Sequence, residues 1–126
     1  MLAVAAPEDL SAITDTVHCY LRGMYEGDTD ALRRAFHPKL QSFGYRDDTL
    51  QEGSGEDFVQ LVESLEVPAR IGEKFDMGIV NIDVTGSVAH VKVQDLHLGE
   101  VYTDYLALVK TGGRWLIVNK MYHKHD

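Results

Sequence analysis

The stretch Val88-Ala-His-Val-Lys-Val-Gln-Asp-Leu-His-Leu98, Gly99-Glu100, Val101-Tyr-Thr-Asp-Tyr-Leu-Ala-Leu-Val-Lys110, Thr111-Gly112-Gly113, Arg114-Trp-Leu-Ile-Val-Asn-Lys-Met-Tyr-His123 decides the fold. Its runs alternate apolar and polar residues, are rich in β-branched and aromatic side chains, and are joined by turns that leave room only for antiparallel hairpins. With Gly99-Glu100 and Gly112-Gly113 as two-residue loops, Asp95 falls opposite Asp104, Val93 opposite Leu106, and Leu106 opposite Asn119. The inner face then carries Val91, Val93, Asp95 and His97, then Tyr102, Asp104, Leu106 and Leu108, then Trp115, Ile117, Asn119, Met121 and His123. Carboxylates on an otherwise apolar face cost free energy unless they are paired, protonated or put to use.

Working outward, Lys74 to Thr85 reads as a further long strand with Val80, Ile82 and Val84 inward, closed by Thr85-Gly86-Ser87. Before it the period changes. Leu10, Ile13, Val17, Tyr20, Leu21 and Met24 recur at three and four, which predicts a helix from about Pro7 to Tyr25 that ends at Gly27. Asp28 caps a short helix, Thr29 to Ala35, stopped by His37-Pro38. Leu40 to Arg46 reads as a short strand, and Asp47-Asp48 with Gln51-Glu52-Gly53 as a small hairpin or loop. A third helix starts at Ser54 or Gly55, carries Phe58, Leu61, Val62 and Leu65 on one face, and ends before Pro68. Helices first and an antiparallel meander afterwards predict a single α+β domain over 1–126, with the helices packed on one sheet face.

Composition narrows the function. Apolar residues make up 44% and charged residues 25% of 126, ordinary for a globular protein, and no apolar run reaches the roughly 20 residues that span a bilayer. Met1 to Pro7 is apolar without a basic leader and reads as a short loose arm. A net charge of −8 disfavours a nucleic-acid partner, whose binding rests on Lys and Arg. Cys19, the single cysteine, fits a reducing cytoplasm and reads as a small hydrophobe in a helix. The opposite sheet face, Ile79, Val101, Tyr105, Ala107, Val109, Leu116, Val118 and Tyr122, is apolar enough to predict a homodimer through the sheet backs.

Four segments carry a resemblance: Tyr25-Glu-Gly-Asp-Thr-Asp-Ala-Leu-Arg-Arg-Ala-Phe-His-Pro38, Asn81-Ile-Asp-Val-Thr-Gly86, Tyr102-Thr-Asp-Tyr-Leu-Ala-Leu-Val-Lys110 and Gly113-Arg-Trp-Leu-Ile-Val-Asn-Lys120. From about Ala12 to His123 the chain resembles the nuclear transport factor 2-like superfamily, and within it the SnoaL-like and "putative lumazine-binding" proteins. The resemblance implies a cystatin-like cone, a bent antiparallel sheet wrapped round three N-terminal helices with a pocket at its wide end. Its members include isomerases, dehydratases, cyclases and binders without catalysis, so the fold alone does not choose among them. The enzymes of the superfamily place an aspartate or histidine base in that pocket, for which Asp95, Asp104, His37 and His123 are the positions here.

The residues support the same place. Opposed side chains have Cβ atoms about 5 Å apart, where like charges repel by roughly 3 kcal/mol at an effective dielectric near 20. Asp95 and Asp104, facing each other away from water, are then expected to titrate as a coupled pair, with His123 or Tyr45 assisting. The structural alternative has Asp104 bonded to Asn119, Tyr45 or a helix N-terminus and Asp95 at a bulge in solvent. Tyr20, His37, Phe43, Tyr45, Phe58, Leu106, Asn119 and Met121 are the candidate walls of a pocket for a small apolar or aromatic ligand. Trp115 reads as core, and His18, His90 and His125 as surface. Nothing in the histidine spacing is a metal motif and no cofactor is called for. Asp47, Asp48, Glu52, Glu56 and Asp57 would fringe the mouth and disfavour anionic ligands. The expectation is a small-molecule-binding protein, with an isomerase, dehydratase or cyclase acting through the aspartates, or a protein-interaction module, as alternatives.

Overall fold

A computed structural model describes residues 5–126, so most of the expected N-terminal arm, Met1 to Val4, lies outside the described residues. Helix α1 (Pro7–Glu26) buries Ile13, Val17, Tyr20, Leu21 and Met24, the expected stripe, while Leu10 at its start stays exposed. Gly27 ends it in the left-handed conformation at φ 67°, where glycine has no Cβ penalty, and Asp28 N–H closes the turn on Gly23 C=O at 2.9 Å. Asp28 then caps α2 (Thr29–Ala35) by accepting from Ala31 N–H at 3.1 Å. Helix α3 (Gly55–Ser64) opens on a reciprocal capping box, with Asp57 N–H to Ser54 Oγ at 3.0 Å and Ser54 N–H to Asp57 Oδ2 at 2.9 Å.

The strands are β1 (Phe36–Arg46), β2 (Thr49–Ser54), β3 (Met77–Thr85), β4 (Val88–His97), β5 (Glu100–Thr111) and β6 (Arg114–Lys124). They form one six-stranded sheet in the order β2-β1-β6-β5-β4-β3, antiparallel except where β1 lies parallel to β6. β1 starts earlier than Pro38 suggested, at Phe36. Its pairing with β6 shifts between Phe36 and Gln41, which leaves Pro38 where no ladder donor is needed. The helices cover the inner face, and their stripe meets Val91, Val93, Leu106, Leu108, Trp115 and Ile117 in one core.

Three departures from simple hairpin counting set the site. First, the β4–β5 loop is Leu98-Gly99, so Asp95 pairs with Tyr102 and Val93 with Asp104. The expected Asp95–Asp104 opposition is corrected to a diagonal. The slip is an even number of residues, so both acids keep the inner face. Both loop residues have positive φ, 51° and 79°, the primed turn whose twist suits a hairpin. A carboxylate remote in sequence holds it: Leu98 N–H donates to Glu73 Oε1 at 2.8 Å and Gly99 N–H to Oε2 at 2.7 Å. Leu98→Gly should therefore stabilise the protein by about 1 kcal/mol, since leucine is strained in the left-handed region. Glu73→Gln should cost about 1–2 kcal/mol by weakening a charge-assisted clamp. Urea midpoints check both, and a loss in Leu98→Gly would contradict the strain.

Second, β5 and β6 follow the expected register from Thr111↔Arg114 to Leu108↔Ile117, then shift, so that Ala107 pairs with Asn119 and Leu106 with Lys120. Val118 is the extra residue. A one-residue bulge exchanges the faces of everything beyond it. Lys120, 4% exposed, and Tyr122 now point inward, whereas Met121, 47% exposed, and His123 are turned out. Third, a shift between Ile79 and Asn81 puts Ile79 against the core and Val80 outside, the reverse of simple alternation.

Candidate active site

At the wide end of the sheet, between α1, α3 and the inner ends of β4, β5 and β6, lies a small cavity of about 50 Å³. Asp95, Asp104, Lys120 and Tyr122 come from the strands, and Tyr20 and Phe58 from the helices above them. Arg46 and His97 stand with them on the lining. The site concentrates charge in a buried place: Asp95 is 3% exposed, Asp104 1% and Lys120 4%.

Each polar group has a distinct environment. The Tyr20 hydroxyl donates to Asp104 Oδ2 at 2.7 Å, and burial first, then the charges of Asp104 and Asp95, push that phenol well above its ordinary range. Tyr20 is thus a fixed donor, never an anion near neutral pH. Burial also raises Asp95 well above the ordinary carboxyl range, reinforced by the charge of Asp104 and by a hydrogen bond between the two that exists only while one holds a proton. Asp95 Oδ2 has no hydrogen-bond partner among the described residues, nor has His97 Nε2. Burial lowers the His97 imidazole, with Glu73 opposing, and so keeps it neutral.

Lys120 is desolvated in the same way: burial lowers its ammonium, with Asp104 and Asp95 pulling back up. Its Nζ lies 4.1 Å from the centroid of the Tyr122 ring and 4.4 Å from that of Phe58. No carboxylate of the described residues stands within ion-pair distance of it. At the rim, Arg46 donates to the Tyr102 hydroxyl at 2.6 Å. A protonatable carboxyl, a second buried carboxyl beside it, the phenol that donates to that second carboxyl and an amine therefore share one partly apolar enclosure. That set can remove a proton, return it elsewhere, and support developing negative charge on oxygen.

Of the residues expected from the sequence, Asp95, Asp104, Tyr20 and Phe58 meet in the cavity. Leu106 is fully buried in the core beneath it and does not line it. The others are corrected. His123, Asn119 and Met121 are turned away by the Val118 bulge. Phe43 and Tyr45, 38% and 50% exposed, point outward because Ser42 and Gly44 take the inner positions of β1. His37 turns its Nδ1 to the Lys39 N–H at 3.0 Å, away from the cavity. The sequence reading missed Lys120, Tyr122 and Arg46. A lysine within an apolar strand, Ile117-Val-Asn-Lys120, was the available signal. Among the described residues no group of three or more His, Cys, Asp or Glu is placed to hold a metal ion.

A bent, mostly antiparallel sheet closed over three helices, with a buried polar cluster at its wide end, is the cone of the NTF2-like proteins with a cystatin-like fold. More narrowly, the sequence pattern of the family described as "putative lumazine-binding" matches residues 8–123, and the chain belongs to that family. An NTF2-like protein of unknown function from Methylobacillus flagellatus is 30% identical, with a TM-score of 0.88 over 100% of this chain and 99% of that one. Another from Shewanella baltica is 25% identical, with a TM-score of 0.88 over 98% and 99%. A curated relative, the aldolase FrzH of a Cladobotryum species, is 29% identical over 119 residues, 93% of this chain and 92% of that protein. The family name points to a fold that binds small ligands. Among the described residues no helix is long and apolar enough to cross a membrane.

Proposed function

We propose that this protein is an enzyme that moves a proton α to the carbonyl of a small, largely apolar compound, with isomerisation, dehydration or an aldol-type step as the outcome. The observation that carries the reading is the burial of Asp95 and Asp104 together on the wall of one cavity, with Asp95 Oδ2 left unpartnered. A buried polar atom without a partner costs about 1–3 kcal/mol, which a fold tolerates where a ligand completes the set. Burial and Asp104 raise Asp95 well above the ordinary carboxyl range, which makes it a stronger base than an exposed carboxylate. Tyr20 holds the neighbouring Asp104 carboxyl in place through its hydroxyl. The aldolase among the relatives favours carbonyl substrates.

Deuterium exchange into simple ketones tests this, whatever the natural substrate. The protein is incubated in heavy water with cyclohexanone, indanone and phenylacetone, and α-deuteration is followed by NMR. Exchange above the buffer rate with at least one ketone, lost in Asp95→Asn, is expected. Exchange at the buffer rate for all of them would overturn the reading.

The same proposal includes the association of two copies through the outer sheet face. Val88, Val101 and Tyr105 there are 51%, 46% and 38% exposed, with Tyr105 stacked on His90 at 5.5 Å. Ile79 and Tyr122 drop out of the expected patch because they face inward. Tyr105→Glu should convert a dimer to a monomer in light scattering while leaving the cavity intact. A wild-type mass that is monomeric at every concentration removes the interface.

A further inference from the structure

Lys120 is unexplained by proton transfer between carboxylates. With Tyr122 it is one of the two residues of the cluster that the β6 bulge turns inward, and it is enclosed by rings rather than by an anion. A buried ammonium kept for stability alone would be expected to sit in a direct ion pair, because an unpaired buried charge is costly. Here both acids lie in the same cavity, yet neither reaches ion-pair distance. Lys120 is on the lining of that cavity.

We propose that Lys120 is a nucleophile that forms an imine with the carbonyl group of the substrate, an aldehyde or ketone. The proposal deepens the carbonyl reading of the same site and rests on it. Because neither acid is within ion-pair distance, the lysine ammonium first passes a proton through an intervening water to a carboxylate of the Asp95–Asp104 pair. Its Nζ lone pair then attacks the carbonyl carbon, forming the carbon–nitrogen bond as the carbonyl π electrons move to oxygen. The same pair returns the proton to that oxygen through the carbinolamine, a second proton leaves nitrogen by the same route, and water departs. The sum is ammonium plus carbonyl to iminium plus water, with no other reactant. Loss of the α-proton from the iminium to the aspartate gives an enamine, an easier ionisation than that of the parent ketone. Desolvation of Lys120 assists the first step, since each unit by which an amine's pKa falls raises the free-amine fraction about tenfold near neutral pH. Phe58, Leu61 and Val62 on the α3 side give the carbon skeleton an apolar wall.

The test is reductive trapping on the wild-type protein. Cyclohexanone or phenylacetone is added near neutral pH with sodium cyanoborohydride, and intact mass and peptide mapping locate the adduct. The expected result is a predominant adduct on Lys120, with labelling at least about tenfold above the exposed Lys39 and Lys74. Lys120→Met, of similar volume and unbranched, should fold and lose the adduct. α-Deuteration with no adduct on Lys120 would overturn the imine and leave the acid–base reading standing. An adduct on Lys120 without exchange would support the imine and overturn proton transfer by Asp95. Labelling spread evenly over the surface lysines, or absence of both signals, would overturn this proposal.

Discussion

Asp95→Asn should make the protein more stable at neutral and alkaline pH while lowering its α-proton exchange by about a hundred- to ten-thousandfold, the range lost with a general base. The stability gain follows from linkage. A carboxyl whose folded-state pKa is raised contributes stability that is fully present below the unfolded value, about 3.9, and is lost as pH rises through the folded pKa. Burial and the adjacent Asp104 raise Asp95 in this way. Every unit of that elevation corresponds to about 1.4 kcal/mol given up once the pH is above it. Asparagine keeps the shape, carries no charge and can still donate to Asp104. The difference in melting temperature between variant and wild type should therefore vanish near pH 3 and grow in favour of the variant toward pH 8. Lys120 runs the opposite way: its lowered pKa contributes stability that is present above about 10.4 and lost as pH falls through the folded value. Lys120→Met should thus relieve one ionisation cost and leave Asp104 without its nearby cation, so its net stability change separates those two effects. An Asp95→Asn protein that is less stable than wild type at pH 8 would show that Asp95 is held by structural hydrogen bonds rather than strained for chemistry.

The fold was legible because its signals are periodic and local. The α1 stripe, the Asp28 cap, the start of α3 at Ser54 or Gly55 and the long alternating strands each read the same way at short range and in the tertiary structure. The presence of both aspartates on the inner face was legible too, and survived a wrong register because the error was even. What failed was parity in bent strands. The sequence Leu116-Ile-Val-Asn-Lys-Met-Tyr122 contains no glycine to announce a bulge, and regular alternation would place Asn119, Met121 and His123 inside. The bend of β6 between β5 and β1 decides otherwise, and that is a property of the whole sheet. The β4–β5 turn failed for the same kind of reason, since the carboxylate that fixes Leu98-Gly99 comes from Glu73. In β1 the aromatic Phe43 and Tyr45 were expected on the pocket wall, but Ser42 and Gly44 are the buried ones. The loss of Asn119, Met121, His123, Phe43 and Tyr45 and the gain of Lys120 and Tyr122 trace to these places, whereas Leu106 lies too deep in the core and His37 turns to the Lys39 N–H.

Gly44 shows how much the site depends on that parity, and Gly44→Val should cost about 3 kcal/mol in spite of the strand preference of valine. Gly44 lies on β1 directly beside Tyr122 of β6, and a Cβ built there would sink into the Tyr122 ring at separations no real pair of atoms tolerates. The ring fills the space a side chain would take. It cannot step aside freely, because its other neighbours are the Lys120 ammonium at 4.1 Å and the Tyr102 ring at 6.1 Å. Ordinarily glycine within a strand is a weakness, and replacing it by a β-branched residue gains up to about 1 kcal/mol. Overpacking against a fixed ring costs about 1–3 kcal/mol, occasionally more, and here outweighs that gain. Gly78 on β3 is the internal control, since a Cβ there meets nothing within 4 Å and Gly78→Val should be neutral or stabilising. Urea midpoints of the two variants give the comparison. Displacing Tyr122 also removes one of the two rings nearest to Lys120, so Gly44→Val should lose the cyanoborohydride adduct at Lys120 under conditions where it is still folded and Gly78→Val retains it. Equal stability of the two variants would mean that the Tyr122 ring moves without cost and is not a fixed wall of the cavity.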